Sequence, residues 1–300
     1  MSLPPTELAL LRTLCHDAHI NGVGLHSGVA VEVHLRPRRQ CGIVFVRTDL
    51  PGAPEISPSL RCVARTMHAT TLQENGAGVS TIEHLMATLW AMNVTNCRIE
   101  LDGPEVPILD GSAAPWCRLI EDTGTAEVTA TEVTSAVPPA AWRPHYRLRE
   151  PVWVSDGKGS VLGLPHDEFR LTVAVDYDVD YMGSQIVDVV VTPANFVTEL
   201  ASARTFTLGE WIEPLRARGL IRGGSPENAV ILWRDAPSAS WRLENELARH
   251  KALDVVGDVA LLFGEDGGIL HAHLIAVRAG HGLHRQWMEE CTRRGALIQS

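Results

Sequence analysis

A run rich in Thr, Ala, Val and Pro over 123–141, ending Val137-Pro138-Pro139-Ala140, most constrains this chain. Stacked prolines lack backbone donors and oppose both helix and central strand, so the run reads as a linker. It divides the chain into an N-terminal domain at 1–130, a linker at 131–141 and a C-terminal domain at 142–300. Each half is long enough to bury its own core.

Both halves mix short strand patterns with helices. Residues 22–35 alternate after a Gly-rich start and place Val29, Val31, Val33 and Leu35 on one side, a strand with one buried face. Residues 42–48 and 97–101 read as further strands, and 51–59 as loop. Over 80–93, Ile82, Leu85, Met86, Leu89 and Met92 have the spacing of an amphipathic helix. A Pro/Gly-rich loop at 103–115 leads into a helix at 114–122. In the second half, strands are expected at 145–154, 160–164, 170–177, 186–191 and 270–278. Helices are expected at 207–218, 244–256 and 282–294. The class is α+β.

Composition excludes several functions. Hydrophobic residues make up 45% and charged residues 21%, the mix of a core-forming chain. The net charge of -10 argues against a sequence-independent nucleic-acid binder, which needs a basic face. No apolar run approaches the roughly 18–20 residues of a membrane span, which leaves at most peripheral membrane contact. The six cysteines include no Cys-x-x-Cys pair, and free thiols in a reducing cytoplasm are expected.

Several short patterns could carry chemistry. In a helix His250 and Asp254 lie about 40° apart, so they can share one metal ion or form an ordinary surface pair. Ser80 to Glu83 has the form of a capping box, in which Glu83 satisfies orphan amides. Glu83 could also take the proton of a metal-activated water beside a ligand, His84, and the segment can serve both roles. His84, His250 and Asp254 together offer the three ligands of an open catalytic zinc site, and such donors also admit Fe(II) or Co(II). His281, at a strand exit, could be a general acid or a plain loop residue. Thr205 could donate to an oxyanion or cap a helix. Residues 22–28 are Gly-rich but lack the order of a nucleotide-phosphate loop.

One count adds a pointer. The chain holds 24 Arg and only two Lys, Lys158 and Lys251, and Lys251 sits between two of the proposed ligands. A site that excludes guanidinium fits that placement.

Seven blocks then occur in one order: 22–28, 42–50, Ser80 to Ala87, Pro104 to Pro115, Ser202 to Phe206, Arg249 to Asp258, and Ala279-Gly280-His281. From about 12 to 290 the chain resembles the UDP-3-O-acyl-N-acetylglucosamine deacetylases, cytoplasmic zinc amidases that commit Gram-negative bacteria to lipid A. The resemblance implies two similar βααβ-type two-layer domains, with helices packed between outer sheets and the active site at their interface. It implies a monomer with an acyl passage built by an insert near 187–224. His84, His250 and Asp254 would ligate Zn2+, with Fe2+ as a substitute. Glu83 would be the base, His281 the acid, and Asp258 its carboxylate partner. Thr205 would serve the oxyanion, Phe206 would stack near the sugar or uridine, and Lys251 would lie near the substrate diphosphate. Hydrolysis of another acylated sugar, or acyl-nucleotide binding without chemistry, are the competing readings. The chain departs from the family at Ala279, where many relatives have Ser, and over 65–70, where His68 has no family role.

Overall fold

Val31, Val33 and Leu35 share the buried face of a strand, Ala30–Pro37, in a computed structural model that describes residues 10–128, 143–264 and 266–299. Val29 is exposed, because 24–29 forms a turn in which the Gly24 N–H donates to the Val29 carbonyl at 2.9 Å. The strand expected over 22–35 is therefore a hairpin, Ala18–Val23 against Ala30–Pro37. Cys97–Leu101 follows, antiparallel to Ala30–Pro37 and parallel to Ile43–Arg47. Glu55–Ile56, within the expected loop, completes this five-stranded sheet.

A three-stranded meander, Val63–Arg65, Thr71–Glu74 and Ala77–Ser80, was not legible in the sequence; its strands are too short to show a period. The linker expected at 131–141 lies outside the described residues. The run preceding it does not begin as linker, because Thr125–Glu127 pairs with Arg12–Leu14.

In the second half Ile269–Val277 is the central strand of a seven-stranded sheet. It runs parallel to His145–Leu148 and Phe169–Val175 and antiparallel to Ser160–Pro165. The strand expected at 145–154 breaks at Pro151, which has no amide to donate, into His145–Leu148 and Val152–Ser155. The helix expected at 207–218 also divides. Phe206–Leu208 is a strand parallel to Val230–Leu232, and only the stretch after it winds into helix.

The longer helices among the described residues are α1 (Glu83–Ala91), α2 (Ala114–Thr123), α3 (Ile212–Ala217), α4 (Glu246–Val259) and α5 (His281–Arg294). α1 and α4 pack on each other, and α4 rests on Phe169–Val175 and Gln185–Val190. One buried cluster joins Leu35 and Phe45 of the first sheet to Leu171 and Leu274 of the second. Every residue of α1 is buried, so its apolar stripe understated its burial. Among the described residues no helix is long and apolar enough to cross a membrane.

Gly257 sets the distance between the two helices. A Cβ there would stand 2.0 Å from the Glu83 carbonyl oxygen. Gly257→Ala is expected to cost about 1–3 kcal/mol, as overpacking does, and to displace the first turn of α1. Denaturant unfolding and kcat measure both effects; a variant as stable and as active as the parent refutes the tight contact.

Candidate active site

Two groups of histidines and carboxylates converge among the described residues: His84 with His250 and Asp254, and Asp258 with His281 and His284. All six are buried. α1 brings His84, α4 brings His250, Asp254 and Asp258, and α5 begins at His281.

In the first group the ligating atoms lie within 4.8 Å of one another. Asp254 Oδ1 is 3.6 Å from His250 Nε2 and 3.7 Å from His84 Nε2. Two donors bound tetrahedrally to zinc at about 2.1 Å stand roughly 3.4 Å apart, so this spacing fits one ion. The His250 Nδ1–H donates to the Ala203 carbonyl at 3.1 Å, which turns the Nε2 lone pair into the group. Burial and the neighbouring His250 push His84 down to about 3, so its imidazole is neutral, as a ligand must be. Burial opposes the Asp254 charge, but Lys251 and the imidazoles hold it well below the usual carboxylate range.

The second group is knit by protons. Asp258 Oδ2 accepts from His281 Nδ1 and from His284 Nδ1, each at 2.7 Å. Its Oδ1 accepts from the Thr70 hydroxyl at 2.6 Å. These are charge-assisted hydrogen-bond lengths, and three donors engage the carboxylate. Burial works against charge on His281. Asp258, then Glu83 and Asp254, outweigh it and raise its pKa to about 9.

Glu83 stands between the groups. The expected capping box does not form, because Ser80 ends a strand, Thr81 takes φ 57°, and the cap of α1 is Ile82 with no side-chain bond. Glu83 Oε2 instead accepts from the Thr70 N–H at 3.1 Å, and Oε1 lies 3.9 Å from His281 Nε2. Burial pushes its pKa up to about 7, against the pull of His281.

The loop 201–206 is fixed by a buried pair. Arg204 Nε donates to Glu246 Oε1 at 2.8 Å and Nη2 to Oε2 at 3.0 Å, which sets the Ala203 carbonyl on His250. Thr205 caps no helix. Its N–H donates to Gly111 O at 2.7 Å, its carbonyl accepts from Val230 N–H, and a strand follows. Lys251 Nζ donates to Asp254 Oδ2 at 2.9 Å and lies 5.8 Å from the Phe206 ring centre.

A cavity of about 550 Å³ adjoins these groups. Thr205, Phe206, Lys251 and His281 line it, together with Trp211 and Trp233. Trp233 lies against Gly209, where a Cβ would stand 2.1 Å from the indole. The segment expected to build a passage, 187–224, supplies part of this wall, and Ala229, Ile231 and Trp233 carry it further along the chain. His26 and His68 also face the cavity. Sequence reasoning gave neither a role, and it missed Thr70 and His284. A polar residue one turn beyond His281 was the only available signal for His284.

A family model described as UDP-3-O-acyl N-acetylglycosamine deacetylase matches residues 11–293. A UDP-3-O-acyl-N-acetylglucosamine deacetylase of Thermosynechococcus vestitus is 42% identical over 289 residues, covering 94% of each chain. A protein of the same name from Solibacter usitatus is 40% identical over 275 residues, covering 91% of this chain and 88% of its own. Another from Myxococcus xanthus is 39% identical over 280 residues, covering 92% of this chain and 84% of its own.

Proposed function

The chain belongs to the UDP-3-O-acyl-N-acetylglucosamine deacetylase family, and from that premise we propose how its residues carry out the reaction. The enzyme hydrolyses the N-acetyl amide of UDP-3-O-acyl-N-acetylglucosamine and releases acetate, a step of lipid A biosynthesis. It is a metalloenzyme. His84, His250 and Asp254 would hold zinc, and their neutral nitrogen and anionic oxygen donors fit it. A zinc ion held by these three residues would supply a Lewis acid for the acetamido carbonyl and would lower the pKa of a bound water.

The protein's own groups do the rest. Glu83 takes the proton of the attacking water, and its elevated pKa suits a base working near neutral pH. Thr205 donates its hydroxyl to the oxyanion. His281 delivers a proton to the departing amine, and Asp258 keeps that imidazole charged and aimed. Phe206 forms a stacking wall for the sugar or uridine, and the apolar part of the cavity takes the acyl chain. The halves 1–130 and 142–300 act as domains whose facing helices, α1 and α4, hold the site between them. The observation that carries this reading is the 3.9 Å between Glu83 Oε1 and His281 Nε2, a base and an acid side by side next to the ligand triad.

The test is acetate release from the 3-O-acyl sugar nucleotide and from UDP-N-acetylglucosamine. Turnover of the first, with hardly any of the second, is expected. Equal rates would move the reading to another acylated sugar, and no turnover of either would leave a binding protein.

Lys251 is paired with a ligand carboxylate rather than free to reach a diphosphate alone. Lys251→Arg is expected to lower kcat/KM about tenfold or more, the worth of a misplaced charged hydrogen bond. The compact ammonium stands between Asp254 and Phe206, and a guanidinium would bring a wider, directional fork to the same place. Unaltered kinetics would show that any cation serves.

A further inference from the structure

Asp258 Oδ2 carries two imidazoles, and the mechanism above uses one of them. His284 Nδ1 reaches that oxygen at 2.7 Å, the same length as the His281 bond, and the two rings stand 6.0 Å apart at 79°. An ionised carboxylate only accepts, so both Nδ1 atoms donate. His284 lies one helical turn beyond His281 on α5, on the same face, and is buried. Thr70 closes the other side of the carboxylate through Oδ1. Its N–H holds Glu83, so one residue touches both the base and the acid's partner.

We propose that His284 is a positioning residue for the acid His281, acting through the oxygen that they share on Asp258. This rests on the reading of His281 as the acid. Two N–H donors on one oxygen divide its negative charge, so neither bond is as strong as it would be alone. Without the His284 donor, Asp258 concentrates on His281. The imidazolium then keeps its proton to higher pH and gives it up less readily to the amine. The other groups facing His281 stay as they are: Glu83 from α1, Asp254 from α4, the imidazoles of His84 and His250, and His26 and His68 from loops of the first half.

The experiment compares H284N and H284Q by the pH dependence of kcat and of kcat/KM on the metal-loaded enzyme. The Asn amide nitrogen falls where imidazole Nδ1 stands and keeps the donor. Gln keeps polarity and bulk but carries its amide one bond further out, off Oδ2. H284N should reproduce the parent profile within about twofold. H284Q should move the basic limb upward by about half a pH unit or more and lower kcat several-fold with KM unchanged. A role in packing alone would lower the thermal midpoint of either variant and move neither limb.

Coinciding basic limbs in H284N and H284Q overturn the proposal. A third variant, H281Q, separates that failure from a failure of the underlying reading. If the parent's basic limb survives in H281Q, His281 is not the acid and the premise falls. If the limb is lost in H281Q while the two His284 variants coincide, only the role given to His284 falls.

Discussion

Replacing Glu83 with Gln lowers kcat by roughly two to four orders of magnitude, the range of a lost general base, while the metal content per chain is unchanged. The substitution is chosen for what it keeps. Gln has the same length, and its carbonyl oxygen can still accept from the Thr70 N–H that Glu83 now engages at 3.1 Å. What disappears is a carboxylate able to hold a proton. Burial raises the Glu83 pKa to about 7, so near neutral pH it accepts and releases a proton with little penalty. KM should move little, because the lost interaction belongs to the transition state. Steady-state kinetics beside metal analysis decides the matter. Near-parental kcat with intact metal would reduce Glu83 to a structural acceptor for Thr70. Loss of metal together with activity would make it a ligand.

The convergence of His84, His250 and Asp254 was legible because its information is local. His250 and Asp254 need only one turn of helix to share a face, and α4 delivers that turn. Adjacency also announced Glu83 and His84, although the competing capping reading failed. That failure has a tertiary cause. Thr81 is held at φ 57° while its hydroxyl donates to the buried Glu105, which also takes the His26 and Ser27 amides. The chain thus reaches α1 from an angle that leaves Ser80 in a strand. The segments misread elsewhere share that origin. Phe206–Leu208 looks helical in isolation and becomes a strand because Val230–Leu232 lies beside it. Thr70 and His284 were invisible for the same reason. Thr70 lies 188 positions from the Asp258 it binds, and no pattern within a single segment encodes that meeting.

His281→Gln should also lower kcat by roughly two to four orders of magnitude, and it should remove the basic limb of the pH profile. The sign follows from the environment. His281 sits at the first turn of α5, where the helix dipole disfavours a cation, and burial disfavours it further. Asp258, Glu83 and Asp254 outweigh both and raise its pKa from 6.5 to about 9. The imidazolium therefore persists below about pH 9 and is lost above it. A group that must donate a proton is competent on the acid side of its pKa, so the parent's rate falls as pH rises through about 9. Gln cannot titrate, so the residual rate of the variant should run flat through that region. A variant that keeps the same fall near pH 9 would assign the limb to another group, and the proton for the departing amine would have to come from elsewhere. The slow variant is informative in a second way. Because Asp258 is still held by Thr70 and His284, the carboxylate should stay in place when His281 is replaced. The defect should then lie in kcat, with KM and metal content close to the parent's, and a collapse of all three would instead mark His281 as a structural keystone of the α4–α5 contact.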